Sequence, residues 1–179
     1  MSKPGEPSPV KLIASLIYSD PLLCEVVRKR VSEEVGGEDF VSPELPFDRT
    51  RYYEEEMGSG LRRVFITYAP LIGRDQLAAI KVRVHNVERS FSENGRRKVN
   101  IDPGYISSEN LVLATFKGYS HRIYLGQGVF AEVTLIFEKG SFRPLKWTYP
   151  DYASPEIVEI MNGVRARYMA GLRESTERK

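Results

Sequence analysis

Val10-Lys11-Leu12-Ile13-Ala14-Ser15-Leu16-Ile17-Tyr18 runs directly into Ser19-Asp20-Pro21-Leu22-Leu23, and the two halves carry different periodicities. The first is almost continuously apolar and β-compatible, the pattern of a central strand covered on both faces. Asp20 offers an N-cap and Pro21 a preset first helical residue. Leu23, Val27, Val31 and Val35 then recur every fourth residue until Gly36-Gly37 interrupts them, which predicts a helix. A strand feeding a helix therefore opens the domain.

Working outward, Glu38 to Asp48 holds two prolines and reads as an irregular or edge strand. Leu61 to Ala69 alternates as a strand should. Leu77, Ile80, Val84, Val87 and Phe91 form one apolar stripe, predicting a helix over about 75–91 that Asn94-Gly95 ends. Asn100 to Tyr105, with Pro103-Gly104 at its centre, reads as a shaped turn. Leu111–Phe116, Arg122–Leu125 and Val129–Phe137 read as strands, the last two joined as a hairpin through Gly126-Gln127-Gly128. Ser154-Pro155 starts a last helix with the stripe Ile157, Ile160, Met161, Val164 and Tyr168.

The order β-α-β-β-α-β-β-β-α predicts an α+β fold: a mostly antiparallel sheet, helices packed on one face, a ferredoxin-like βαββαβ core, and a C-terminal hairpin and helix. One domain is expected over 1–179, with a flexible arm at 1–9 and a flexible tail at 174–179.

A chain of 179 residues with 41% hydrophobic and 28% charged residues is globular in composition. It is long enough to bury roughly two-thirds of its unfolded surface without disulfides or a structural metal. A lone Cys24 excludes an internal disulfide and multi-cysteine metal centres, and fits a reducing, cytoplasmic compartment. No apolar run approaches the ~20 residues of a membrane helix, and the first nine residues carry no export signal. A net charge of +2 makes no case for nucleic acid.

The chain has no phosphate-binding loop, no dinucleotide fingerprint and too few histidines (His85 and His121) for a histidine metal triad. Glu54-Glu55-Glu56 could hold magnesium, but alternation along a strand would send such neighbours to opposite faces, which favours solvated charge. No cofactor is indicated.

Three constellations stand out. His121-Arg122, with Lys117 upstream and Glu132 on the following strand, sets a proton carrier, a planar cation and a carboxylate among core-forming residues. They form either a buried Glu–Arg pair with a hydrogen-bonded histidine or a working site. Asn100, Asp102 and Tyr105 flank Pro103-Gly104, where a turn would aim Asp102 and Tyr105 or merely cap its own backbone. Trp147, Tyr149, Asp151 and Tyr152 form an aromatic-rich approach to the last helix, either a stacking wall or a plug over the sheet edge.

These strings carry a resemblance. Pro9-Val10-Lys11-Leu12, Tyr52-Tyr53 with Glu56-Met57-Gly58, Asn100 with Asp102-Pro103-Gly104-Tyr105, Leu111-Val112-Leu113-Ala114-Thr115 with Lys117, His121-Arg122-Ile123-Tyr124-Leu125, Glu132 and Trp147-Thr148-Tyr149-Pro150-Asp151-Tyr152 resemble the bacterial and archaeal family catalogued as domain of unknown function 4416. The family has no established activity. Some members carry a GTP-binding label, whereas this sequence has neither a phosphate loop nor an Asn-Lys-x-Asp motif. The resemblance places the polar residues above inside the strings by which the family is recognised.

The expectation is an enzyme or ligand-binding protein for a small anionic, phosphorylated or nucleotide-like metabolite. Arg122 and Lys117 would hold the anion, His121 would move a proton, and Asp102 or Glu132 would orient it. A non-catalytic RNA- or protein-binding module using the aromatics and the Arg96-Arg97-Lys98 loop is the alternative, and a homo-oligomer joined through a strand edge is a third expectation.

Overall fold

The computed structural model describes residues 3–48, 50 and 52–177. Residues 1 and 2 of the expected arm, and 178 and 179 of the expected tail, lie outside them. The strands are β1 (Val10–Tyr18), β2 (Glu38–Val41), β3 (Leu45–Pro46), β4 (Arg62–Ile72), β5 (Val99–Ile106), β6 (Asn110–Thr115), β7 (Ile123–Gly126), β8 (Val129–Glu138) and β9 (Ser141–Pro144). The helices are α1 (Pro21–Val35), α2 (Glu54–Met57), α3 (Leu77–Ser90) and α4 (Pro155–Glu177). Among the described residues, no helix is long and apolar enough to cross a membrane.

The strands form one sheet in the order β2-β4-β1-β5-β6-β8-β7, with β3 also on β4 and β9 also on β8. Every pairing between strands is antiparallel. β1 lies near the centre, as its apolar run requires. Asp20 caps α1 by accepting from the Leu22 amide at 2.9 Å.

α1 and α3 cover one face: Val27, Val31, Ile80 and Val84 pack on Leu12, Ala14, Leu16, Val64 and Ile101. The intervening side chains of the same strands point the other way. There Ile13, Phe65, Ile106, Leu111 and Leu135 meet Ile157, Met161 and Val164 of α4. The sheet is thus sandwiched, and α4 continues through Glu177, so the stretch expected as a tail from 174 is helical to that point. The expected N-terminal arm is tied down at its inner end, where the Tyr168 hydroxyl donates to the Pro9 carbonyl.

Three local expectations need correction. Asn100–Tyr105 is not a turn but most of β5, paired residue for residue with β1 from Val99 to Ile106. The fourth strand of the βαββαβ core, beside β1, is therefore β5 rather than Leu111–Phe116. Pro103 is tolerated because the β5–β6 ladder spans only Gly104 to Ile106. Gly104 serves close approach: a Cβ there would stand 2.3 Å from the Val112 carbonyl oxygen. Glu54–Glu56 forms the helical turn α2 rather than a strand. Ser141–Pro144, which follows the left-handed Lys139-Gly140 pair, adds an unforeseen strand.

Candidate functional site

Glu132 faces Leu113 across β8–β6, and Leu113 in turn faces Gly104 of β5, so its side chain lies on the α4 side of the sheet. It is 3% exposed. The segment 116–122 folds back over it. Arg122 Nε donates to Glu132 Oε2 at 2.8 Å, and His121 Nε2 meets the same oxygen at 2.9 Å. Arg122 also closes the loop on itself by donating to the Lys117 carbonyl at 2.8 Å. Burial works against the charged guanidinium, but Glu132 and the Tyr149 hydroxyl outweigh it and raise its pKa.

The His121 ring stacks on Trp147, centroids 4.9 Å apart and planes 12° apart, with Tyr119 tilted against its other flank. Trp147 is itself fixed, its indole N–H donating to the Val133 carbonyl at 2.8 Å. Lys117 reaches from the same loop to the Tyr52 hydroxyl at 2.7 Å, and this contact lowers the phenol's pKa.

A second cluster lies two strands away on the same face. Asp102, paired with Ser15 across β5–β1, accepts from Lys81 Nζ at 3.1 Å and from Asn100 Nδ2 at 2.8 Å. Asn100 accepts from Arg97, whose Nε pairs with Glu56 at 2.7 Å. Burial opposes the charge on Asp102, yet Lys81 and Asn100 prevail and lower its pKa. Burial, then the Asp102 charge, raises the pKa of Tyr53 above it.

Beside the second cluster, on the side away from Glu132, sits Arg63 of β4, 5% exposed. Its guanidinium bonds Asp151 and lies within 4.6 to 5.5 Å of the ring centres of Phe47, Tyr152 and Phe65. A cavity of about 210 Å³ opens beside it, bounded by Phe47, Asp48, Asp151, Ser154 and Glu156 among others. Among the described residues, Arg63 Nε is buried with no hydrogen-bond partner.

The fold therefore gathers His121, Arg122, Glu132, Lys117, Trp147 and Tyr149 into one group, and Asn100 with Asp102 into another, while Asp151 pairs with Arg63. His121 and Asp102 share a face, but no bond joins them; Glu132 is the group that orients the imidazole. Arg122 does not present an open fork, since its donors are engaged within the protein. Tyr105 goes to the opposite face, half-buried against the α3 side, because strand alternation separates it from Asp102 and Asn100. In the Arg96-Arg97-Lys98 loop, Arg97 pairs with Glu56 and Lys98 with Glu93. Among the described residues, no three His, Cys, Asp or Glu side chains gather in a way that could hold a metal ion.

Sequence reasoning passed over Arg63 and Lys81. Each had a signal: Arg63 alternates in register with Phe65 on β4, and Lys81 stands four residues after Leu77 and three before Val84, beside the α3 stripe.

The family model for the domain of unknown function (DUF4416) matches residues 8–168, which include every residue of both clusters. The chain belongs to that family. Neither the curated proteins nor the solved structures contain a match. Within the DUF4416 span, Glu132, Asp102 and Arg63 lie on the α4 side of the sheet, and Lys81 reaches Asp102 from α3 on the other.

Proposed function

We propose that this chain binds a small anionic ligand carrying a planar ring, of nucleotide-like chemistry, at the platform formed by His121, Trp147 and Tyr149, with His121 able to transfer a proton. The observation that carries this reading is the fixed imidazole: buried Glu132 takes Nε2 and Trp147 stacks on the ring. An imidazole oriented by a carboxylate through one nitrogen has the other available as acid or base. Exposed Tyr149 and Trp147 offer π-faces to a base or similar ring. Lys117, at the rim and bridged to Tyr52, supplies the cation for phosphate or carboxylate, a role that Arg122 cannot take while it holds Glu132. The 210 Å³ cavity beside Arg63 has Asp48, Asp151 and Glu156 around it, so anionic groups are better served at Lys117.

The chain has one tryptophan, and it is Trp147, so its emission reports on this site alone. Titration with inorganic phosphate and with nucleoside mono- and triphosphates, GTP included, is expected to give saturable emission changes with at least one ring-bearing phosphate. The response should weaken at least tenfold in Lys117→Ala and vanish in Tyr149→Ala. Flat emission with the whole panel would sink the proposal. The α+β fold is compatible with this use but does not argue for it, since fold alone does not assign function.

A further inference from the structure

The sheet has two long margins, and they are finished differently. On the β2 side, charge guards the edge: Glu38 holds Arg28 at 2.6 Å, Asp39 holds Lys11 at 2.6 Å, and β3 ends in Pro46. On the β8 side, most of the margin is also closed. The Phe142 amide of β9 donates to Asn162 of α4 at 2.9 Å, and Pro144 lacks an amide. In the gap between β9 and β7, Trp147 Nε1 and Thr148 Oγ1 cap the carbonyls of Val133 and Thr134. Among the described residues, β7 has no charge, proline or side-chain cap, and only its short length and the irregularity at its hairpin end guard it.

β7 reads Ile123-Tyr124-Leu125-Gly126, with no charge and no proline. Ile123 is 68% exposed, Tyr124 60% and Leu125 39%. Alternation places Ile123 and Leu125 on one face and Tyr124 on the other, so apolar surface flanks the unpaired backbone on both sides. The register irregularity falls at the hairpin end, beyond Tyr124. An open apolar edge is a template for another strand, and proteins that remain alone normally block it.

We propose that a second copy of this chain docks along β7, the two strands pairing edge to edge about a two-fold axis. The partner is inferred from complementarity. A two-fold contact sets the same patch against itself, and an uncharged strand meets its own copy without like-charge repulsion. A charged peptide or nucleic acid finds no counter-charge on this strand. Outside the ring platform, Tyr119, Ile123, Tyr124 and Leu125 carry the adjoining exposed surface. At roughly half of the ~150–250 Å² that a large side chain buries, they supply on the order of 400 Å² per copy. Stable pairs bury about 800 Å² per partner with a lower end of roughly 600 Å², and the paired β7 backbones add the remainder. The pairing also brings the second copy to the rim of the His121–Trp147 platform.

Sedimentation equilibrium at micromolar protein tests this without reference to any ligand. The unmodified chain is expected at twice the 20.4 kDa of one chain. Ile123→Lys and Tyr124→Lys, each at an exposed position, should sediment at a single mass while keeping native circular dichroism. Tyr119→Lys supplies the same readout from the loop if either strand variant folds poorly. A single mass for the unmodified chain overturns the proposal, as does a doubled mass that persists in the folded variants.

Discussion

Lys81 and Asp102 meet at an opening in the sheet, although one belongs to a helix on one face and the other points to the opposite face. The β5–β6 ladder ends at Gly104. Lys81 reaches the buried margin of β5 that β6 leaves unpaired, donating to the Ile101 carbonyl and to Asp102 Oδ1, each at 3.1 Å. Asp102→Asn would leave a lysine only 7% exposed without its counter-charge. The expected loss is roughly 1–3 kcal/mol of stability, the cost of an unsatisfied buried group. Urea denaturation at neutral pH measures it, and an unchanged midpoint would show that the pair contributes nothing.

Asp102 and Glu109 each add to the acid-side pH dependence, beside Asp39, Glu44 and Glu56, whose carboxyls are also held low. Lys81 and Asn100 hold Asp102 below its ordinary 3.8, against the effect of burial. The Ser108 and Ser107 hydroxyls hold Glu109 down to about 2, from 4.5. With both folded values below the unfolded ones, the unfolded chain binds more protons across this window. Stability from these groups is full above pH 4.5 and falls as the pH drops toward about 2. Asp102→Asn combined with Glu109→Gln should flatten that limb of the melting-temperature profile, and an equally steep limb would refute the assignment.

Glu132 is the keystone of the candidate site. Glu132→Ala strands the Arg122 guanidinium, whose side chain is 9% exposed. Breaking a buried pair from one side costs about 3–5 kcal/mol. Glu132→Gln keeps an acceptor for His121 and Arg122 and should lose less than half as much. Equal losses in the two variants would mean that charge, rather than hydrogen bonding, dominates there.

Cys24 lies on the buried face of α1, 4% exposed, and burial pushes its thiol up to about 11. Only the thiolate attacks a disulfide reagent. At neutral pH the native chain should therefore react at the rate of unfolding and at once in denaturant; fast native labelling would place the thiol at the surface.

Gly104→Ala would set a Cβ 2.3 Å from the Val112 oxygen and 2.7 Å from Leu113 Cδ2. The first is backbone and cannot swing aside, so the two strands must part, at about 3 kcal/mol or more. Gly118→Ala meets the Phe130 ring at 3.2 Å, where a side chain can give way, and should cost clearly less. Thermal melts of the two variants decide the comparison.

Much of the fold was legible because its signals are local. The apolar run of β1, the Asp20-Pro21 start of α1, the α3 and α4 stripes and the Gly126–Gly128 hairpin are each written within a few residues. β5 was misread for a related reason. Pro103-Gly104 is a turn signal on local grounds, and only the short β5–β6 ladder and the close approach of Val112 explain both residues in a strand.

The sequence by itself determined the α+β class, the main helices, the central strand and the isolation of Glu132 among core residues, since periodicity and composition suffice for these. Tertiary structure alone decided that Arg122 is spent on Glu132, that Tyr105 faces away from Asp102, and that Arg63 and Lys81 stand among the polar groups. Those outcomes depend on strand register and on loops closing over the sheet, and contacts between residues far apart in the chain have no local signature to read.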